Sequence, residues 1–143
     1  MCHVAYIRRM DRPRIVLAED HAGMAAQLRT LLEPEFDVVA TVADGRALLT
    51  AADAFVPDVV VTDIGMPSLD GIAATLALLG RHPGMRIVLV TIHTDAEVVR
   101  RGLAAGALGY VLKVTAMDDL VPAVRAALRD EQYVSPSIGE CPA

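Results

Sequence analysis

The sequence predicts a doubly wound α/β fold, a five-stranded parallel sheet with five helices distributed over its two faces. Four short runs dense in Val, Ile and Leu (RIVLAED, PDVVVTD, RIVLVT and LGYVLK) lack clean alternation and read as strands buried on both faces. Ala/Leu-rich runs of helical length separate them, and strict strand–helix alternation is the mark of a parallel sheet. Each apolar run also ends in polar groups: Glu19 and Asp20, then Asp63, then Thr91, then Lys113.

The first strand is expected near Arg14–Ala18, followed by a helix from about His21 to Leu32. The second strand covers Phe36–Val42, and Asp44-Gly45 opens a short helix to about Ala54. Pro57 precedes a third strand at Asp58–Thr62. The MPSLDG loop then leads into a helix at Gly71–Arg81, closed by His82-Pro83-Gly84. Arg86–Val90 is the fourth strand and Asp95–Ala105 the next helix, with Gly106 suited to a left-handed cap. Gly109–Leu112 is the fifth strand, and Met117–Arg129 the last helix. The right-handed crossover rule favours a flavodoxin-like strand order, 2-1-3-4-5.

A chain of 143 residues, 54% hydrophobic and 22% charged, fits one globular domain. With 3% aromatics and no Trp, its core is aliphatic. Residues 1–13 read as an N-terminal extension, 14–131 as the domain, and 132–143 as a tail or the start of a linker. No apolar stretch approaches a membrane span, and MCHVAYIRRMDRPR lacks the apolar centre of a secretion signal, so a cytoplasmic location is expected. A net charge of −5 argues against this segment gripping nucleic acid by itself. Cys2 and Cys141 form no spaced framework and read as incidental thiols, and the adjacent Cys2-His3 is weak ground for a metal clip.

In an open parallel sheet the carboxyl ends of adjacent strands converge on one crevice. Three acids, a hydroxyl and an ammonium therefore meet there. Like charges about 5 Å apart repel by roughly 3 kcal/mol per pair at an effective dielectric near 20. A cation relieves that crowding, and Mg²⁺ suits oxygen ligands while keeping waters that a phosphate replaces. Glu19, Asp20 and Asp63 are the candidate ligands, with a backbone carbonyl from the loop after Asp63, that of Gly65, completing the set. One Asp63 oxygen then attacks a phosphoryl group in line, and Lys113 and Thr91 receive the phosphoryl oxygens.

Taken singly these residues have plainer roles. An Asp at a strand end is often a helix cap, and Asp20 is expected to cap the following helix as well. His21 and His93 read as polar residues lining the mouth of the crevice, Asp44-Gly45 and Asp70-Gly71 as turn and helix-start features. Asp118-Asp119 read as acids favouring the last helix's N-terminal dipole.

Five motifs in this order at these strand ends resemble the receiver (CheY-like) domain of two-component response regulators, over about Arg14–Arg129. Glu19-Asp20 match the family's acidic pair, Asp63 in DIGMP its phosphorylated aspartate, Thr91 its switch hydroxyl and Lys113 its lysine. Tyr110 matches its switch aromatic, and VTIHTDAE, AAGALGYVLK and YVSP resemble the NarL/FixJ class.

The resemblance implies a phosphoacceptor for a sensor histidine kinase rather than an enzyme, with only Mg²⁺-dependent self-phosphorylation and slow autodephosphorylation. Thr91 moves toward the phosphoryl group, Tyr110 rotates into the vacated space, and a homodimer forms. Gly65 and His93 occupy positions that tune dephosphorylation. DNA contact is implied only through a helix-turn-helix domain, for which the six residues after Ser137 leave no room in this sequence. Val114 departs from the family's frequent Pro after the lysine, and Ile92 is bulky where many members are small. Competing readings are a stand-alone receiver, a small Mg²⁺-dependent phosphohydrolase and a flavin binder. Gly65 stands where a haloacid-dehalogenase-type phosphatase needs a second Asp, and EDHAG offers no phosphate-cradling loop.

Overall fold

The computed structural model describes residues Arg12–Gly139, so the expectations on Cys2, His3 and Cys141 lie outside the described residues. The elements run β1 (Arg14–Ala18), α1 (Ala22–Leu32), β2 (Asp37–Val42), α2 (Gly45–Phe55), β3 (Val59–Asp63), α3 (Gly71–Arg81) and β4 (Arg86–Thr91). They continue with α4 (Ala96–Ala104), β5 (Gly109–Leu112), a 3₁₀ turn (Lys113–Thr115), α5 (Ala116–Leu128), β6 (Tyr133–Val134) and α6 (Pro136–Gly139). All strand pairs are parallel, in the order β2-β1-β3-β4-β5-β6.

The expected count of five strands and five helices is thereby corrected to six strands and six α-helices among the described residues. The additional strand is two residues long, too short to carry a hydrophobic period. It forms because the outer edge of β5 has unpaired backbone groups: Tyr133 N–H donates to the Leu108 carbonyl and Ser135 N–H to the Tyr110 carbonyl, each at 2.9 Å.

The missing alternation has a direct cause. Val16, Val60, Ile87, Leu89 and Tyr110 face one apolar layer with α2, α3 and α4, while Leu17, Val61, Val88, Val90 and Val111 face another with α1 and α5. Every residue of β3 is buried. Both faces of the sheet are covered, so no polar face remains to alternate with.

Asp44, Asp70 and Asp95 cap α2, α3 and α4 by accepting from the backbone N–H of Ala47, Ala73 and Glu97. The cap expected of Asp20 belongs instead to His21, whose Nδ1 accepts from Met24 N–H at 3.2 Å. Asp20 is exposed, its carboxylate left for the crevice. Gly106 follows α4 with φ +112, a conformation few L-residues tolerate. Gly71 brings the start of α3 against β3, since a Cβ there would lie 2.2 Å from the Asp63 carbonyl oxygen.

Asp119 does lie in the first turn of α5, and it has a further role there. It is buried, 6% exposed, and accepts from the hydroxyls of Thr115 (2.6 Å), Ser135 (2.8 Å) and Tyr133 (2.9 Å). Those donors outweigh the burial that disfavours its charge, and its pKa lies below the ordinary carboxylate value.

Candidate functional site

Asp63 is the last residue of β3, Thr91 the last of β4, and Lys113 follows β5 directly, so the parallel register delivers all three to one edge of the sheet. Glu19 and Asp20 follow β1, the other neighbour of β3. Lys113 and the three acids come together there, and Thr91 ends the strand next to Asp63. Lys113 Nζ stands 2.9 Å from Asp63 Oδ2 and 2.8 Å from Glu19 Oε1. Burial disfavours its ammonium, but the two carboxylates more than compensate, and its pKa is raised. Lys113 is therefore a fixed cation at neutral pH.

Asp63 is 7% exposed, and its second oxygen, Oδ1, accepts from Gly65 N–H at 3.3 Å. Glu19 Oε2 accepts from His21 N–H at 3.0 Å. Glu19 Oε1 is fully buried and finds no donor with hydrogen-bond geometry, its contact with Lys113 being an ion pair outside those angles. Glu19, Asp20 and Asp63 each offer an oxygen, and these lie within 4.8 Å of one another. Three carboxylates this close together, two of them buried, form an all-oxygen set of the kind a hard divalent cation binds, so these residues fit Mg²⁺.

Thr91 is buried, and its Oγ1 accepts from His93 N–H at 3.1 Å. Tyr110 is wholly buried, its phenol donating to the His93 carbonyl at 3.1 Å. Burial pushes that phenol up to about 12, against the opposing Thr91 hydroxyl. The ring expected to rotate inward thus already lies inside. His93 and Ile92 are exposed, Ile92 at 75%. The Lys113–Val114 peptide is not cis, and Val114 projects into solvent, 85% exposed.

Sequence reasoning passed over Ser135 and gave Asp119 no part in the site, yet the two are bonded to each other, and Ser135 to the residue before Lys113. Ser135 is fully buried and its Oγ accepts from Leu112 N–H at 3.0 Å. The signal for it was the YVSP segment, read as a class resemblance and the start of a linker.

Residues 15–125 match the family described as response regulator receiver domain. The chain is a member of that family. This receiver domain is 35% identical over 130 residues to the transcriptional regulatory protein DegU of Brevibacillus brevis, covering 90% of this chain and 55% of that protein. It is 32% identical over 128 residues to the oxygen regulatory protein NreC of Staphylococcus carnosus, covering 87% and 59%. The receiver domain therefore spans little more than half the length of these relatives.

Among solved structures it resembles a LuxR-family two-component response regulator from Aurantimonas sp. SI85-9A1, with a TM-score of 0.87 and 32% identity over 91% of this chain and 94% of that one. It also resembles the isolated REC domain of RcsB from Salmonella enterica serovar Typhimurium, solved with phosphomimetic BeF3⁻ (TM-score 0.84, 25% identity, 90% and 97% covered). These relatives place it in the NarL/FixJ class of receivers. No helix of the described residues is long and apolar enough to cross a membrane.

Proposed function

We propose that Asp63 accepts a phosphoryl group from a sensor histidine kinase in the cytoplasm. A carboxylate oxygen of Asp63 attacks phosphorus as the donor's P–N bond breaks, its electrons returning to the imidazole nitrogen, and an acyl phosphate results. Glu19, Asp20 and Asp63, with the backbone carbonyl of Gly65, are the residues to hold Mg²⁺, whose charge when bound neutralises phosphoryl oxygens. Lys113 is the protein's own cation for those oxygens, and Thr91 their hydroxyl donor. The observation that carries this reading is Lys113 Nζ held between Asp63 and Glu19 at 2.9 and 2.8 Å, where a phosphoryl group on Asp63 would take over its contact.

Thr91 and Tyr110 hold opposite ends of the His93 backbone, so a pull on Thr91 reaches the β4–α4 loop and the α4–β5 surface. That surface is the proposed reporter of phosphorylation, through a homodimer and, as the names of the longer relatives suggest, an effect on transcription via a separate helix-turn-helix domain. Gly65 and His93, two residues past Asp63 and Thr91, are proposed to set the lifetime of the acyl phosphate. A groove of about 500 Å³ lined by Met24, Leu28, Leu31, Val114 and Met117 borders Lys113, giving a kinase helix an apolar seat beside the site.

The test is incubation with Mg²⁺ and acetyl phosphate or beryllofluoride, comparing wild type with Asp63→Asn by intact mass and size-exclusion chromatography. An adduct and a change of assembly that both need Asp63 are expected. Their absence from wild type would remove the signalling reading.

A further inference from the structure

We propose that Ser135 and Asp119 are positioning residues for Lys113, so that the segment after α5 governs how well phosphoryl oxygens are held at Asp63. The inference rests on the phosphoacceptor reading above. It starts from the root of the Lys113 side chain. Leu112, the preceding residue, is held by its N–H, which donates to Ser135 Oγ at 3.0 Å, and the Thr115 hydroxyl lies 3.4 Å from its carbonyl. Both hydroxyls donate to the same oxygen of Asp119, Ser135 Oγ at 2.8 Å and Thr115 Oγ1 at 2.6 Å.

Tyr133 Oη secures the other Asp119 oxygen at 2.9 Å, and Ser135 N–H grips the Tyr110 carbonyl at 2.9 Å. Ser135 therefore straddles Val111, tying β5 at Tyr110 and at Leu112. The direction in which Lys113 leaves the sheet is set inside this ring of bonds. No proline ring stiffens the next position, and Val114 has no packing to do so.

The consequence for Nζ is mechanical. A lysine stem is flexible, and its ammonium is placed by the backbone it springs from as well as by its partners. Reaching Asp63 and Glu19 together, on strands β3 and beyond β1, requires that root to stay put. Removing the Ser135 hydroxyl strips Leu112 N–H of its acceptor and Asp119 of a donor, both in a buried place. The root is then free to swing, and misplacement of a catalytic group by an ångström costs up to about a hundredfold in rate. The three carboxylates that fit Mg²⁺ stand just after β1 and at the end of β3, and none of them bonds to this ring.

The experiment is a double-mutant cycle on the full chain, with Ser135→Ala, Lys113→Ala and both, reading the acetyl-phosphate phosphorylation rate of Asp63 and Mg²⁺ affinity separately. Ser135→Ala is expected to slow phosphorylation by about tenfold without weakening Mg²⁺ binding. In the Lys113→Ala background it is expected to change the rate by less than about twofold. Thr115→Val, which removes a hydroxyl without shortening the side chain, is expected to slow phosphorylation in the same direction and serves if Ser135→Ala does not fold.

A normal rate in Ser135→Ala or in Thr115→Val, an equal loss with Lys113 already removed, or a parallel fall in Mg²⁺ affinity would overturn the inference. Wild type phosphorylated on Asp63 with a normal variant sinks only this inference. Wild type without phosphorylation sinks the phosphoacceptor reading, and this one with it.

Discussion

Lys113 Nζ reaches Asp63 Oδ2 at 2.9 Å by crossing the carboxyl end of β4, the strand that separates β5 from β3. The bond joins residues 50 apart in sequence, and the side chains involved are 13% and 9% exposed. Lys113→Met removes the cation and leaves Glu19 and Asp63 facing each other in a buried place. A loss of about 3 kcal/mol in urea unfolding with EDTA present is expected, shrinking when Mg²⁺ is added. Phosphorylation from acetyl phosphate should slow by about a hundredfold. An unchanged rate would show that Lys113 is a structural counter-ion only.

Asp20 is a different case, because the helix it precedes is capped by His21. Its charge serves the crevice and nothing local. In EDTA, Asp20→Asn should leave the melting temperature unchanged or raise it, since it removes like-charge repulsion. Mg²⁺ affinity, followed by calorimetry, should drop by about tenfold or more. A lower melting temperature in EDTA would reveal a structural task for Asp20.

Thr91 and Tyr110 take the two polar groups of one backbone residue, His93 N–H and carbonyl. Thr91→Ala breaks the link on one side and leaves Asp63, Lys113 and the acids in place. Intact mass should still show an Asp63-dependent adduct, while the shift in oligomeric state on phosphorylation is lost. A variant that assembles like wild type would mean the signal leaves the site by another route.

Three groups make the stability of the fold depend on pH, one at the acid end and two at the alkaline end. Asp119 has a lowered folded pKa, so its contribution is full above the unfolded value near 3.8 and is lost as pH falls through the folded one. Tyr110 and Tyr133 are both pushed up to about 12, by burial first and then, for Tyr133, by the Asp119 carboxylate it bonds. Their contributions are present below the unfolded value near 10 and fade as pH rises toward 12. Asp119→Asn should therefore narrow its stability gap to wild type on acidification below pH 4. Absorbance titration should find two phenols that ionise only near 12. A gap constant from pH 7 to 2.5, or both phenols ionising near 10, would contradict these assignments.

The sheet and its chemistry were legible because their signals are local. Buried runs such as VVVTD announce strands, and a polar residue closing each run lies at one edge of a parallel sheet. Asp44 and Asp70 caps follow from a short acid before a helix. What escaped is long-range. Asp119 reads as a first-turn acid and nothing more until Ser135, 16 residues later, folds back onto it. Tyr133–Val134 is too short for any period to mark it as a strand. Asp20 lost the cap to His21 because an imidazole nitrogen one residue on accepts the same bond, a competition invisible in composition.

The shortness of β6 has a practical side. It is the only cover, among the described residues, on the far edge of β5, where Leu108 and Tyr110 carbonyls would otherwise invite a foreign strand. A fragment cut after α5, where helical periodicity ends, would keep Asp63, Lys113 and the acids yet expose that edge and strip Asp119 of two hydroxyl donors. Such a fragment should aggregate on concentration, whereas one carried through Ile138 should stay dispersed, so expression boundaries for domains of this kind belong beyond the sixth strand.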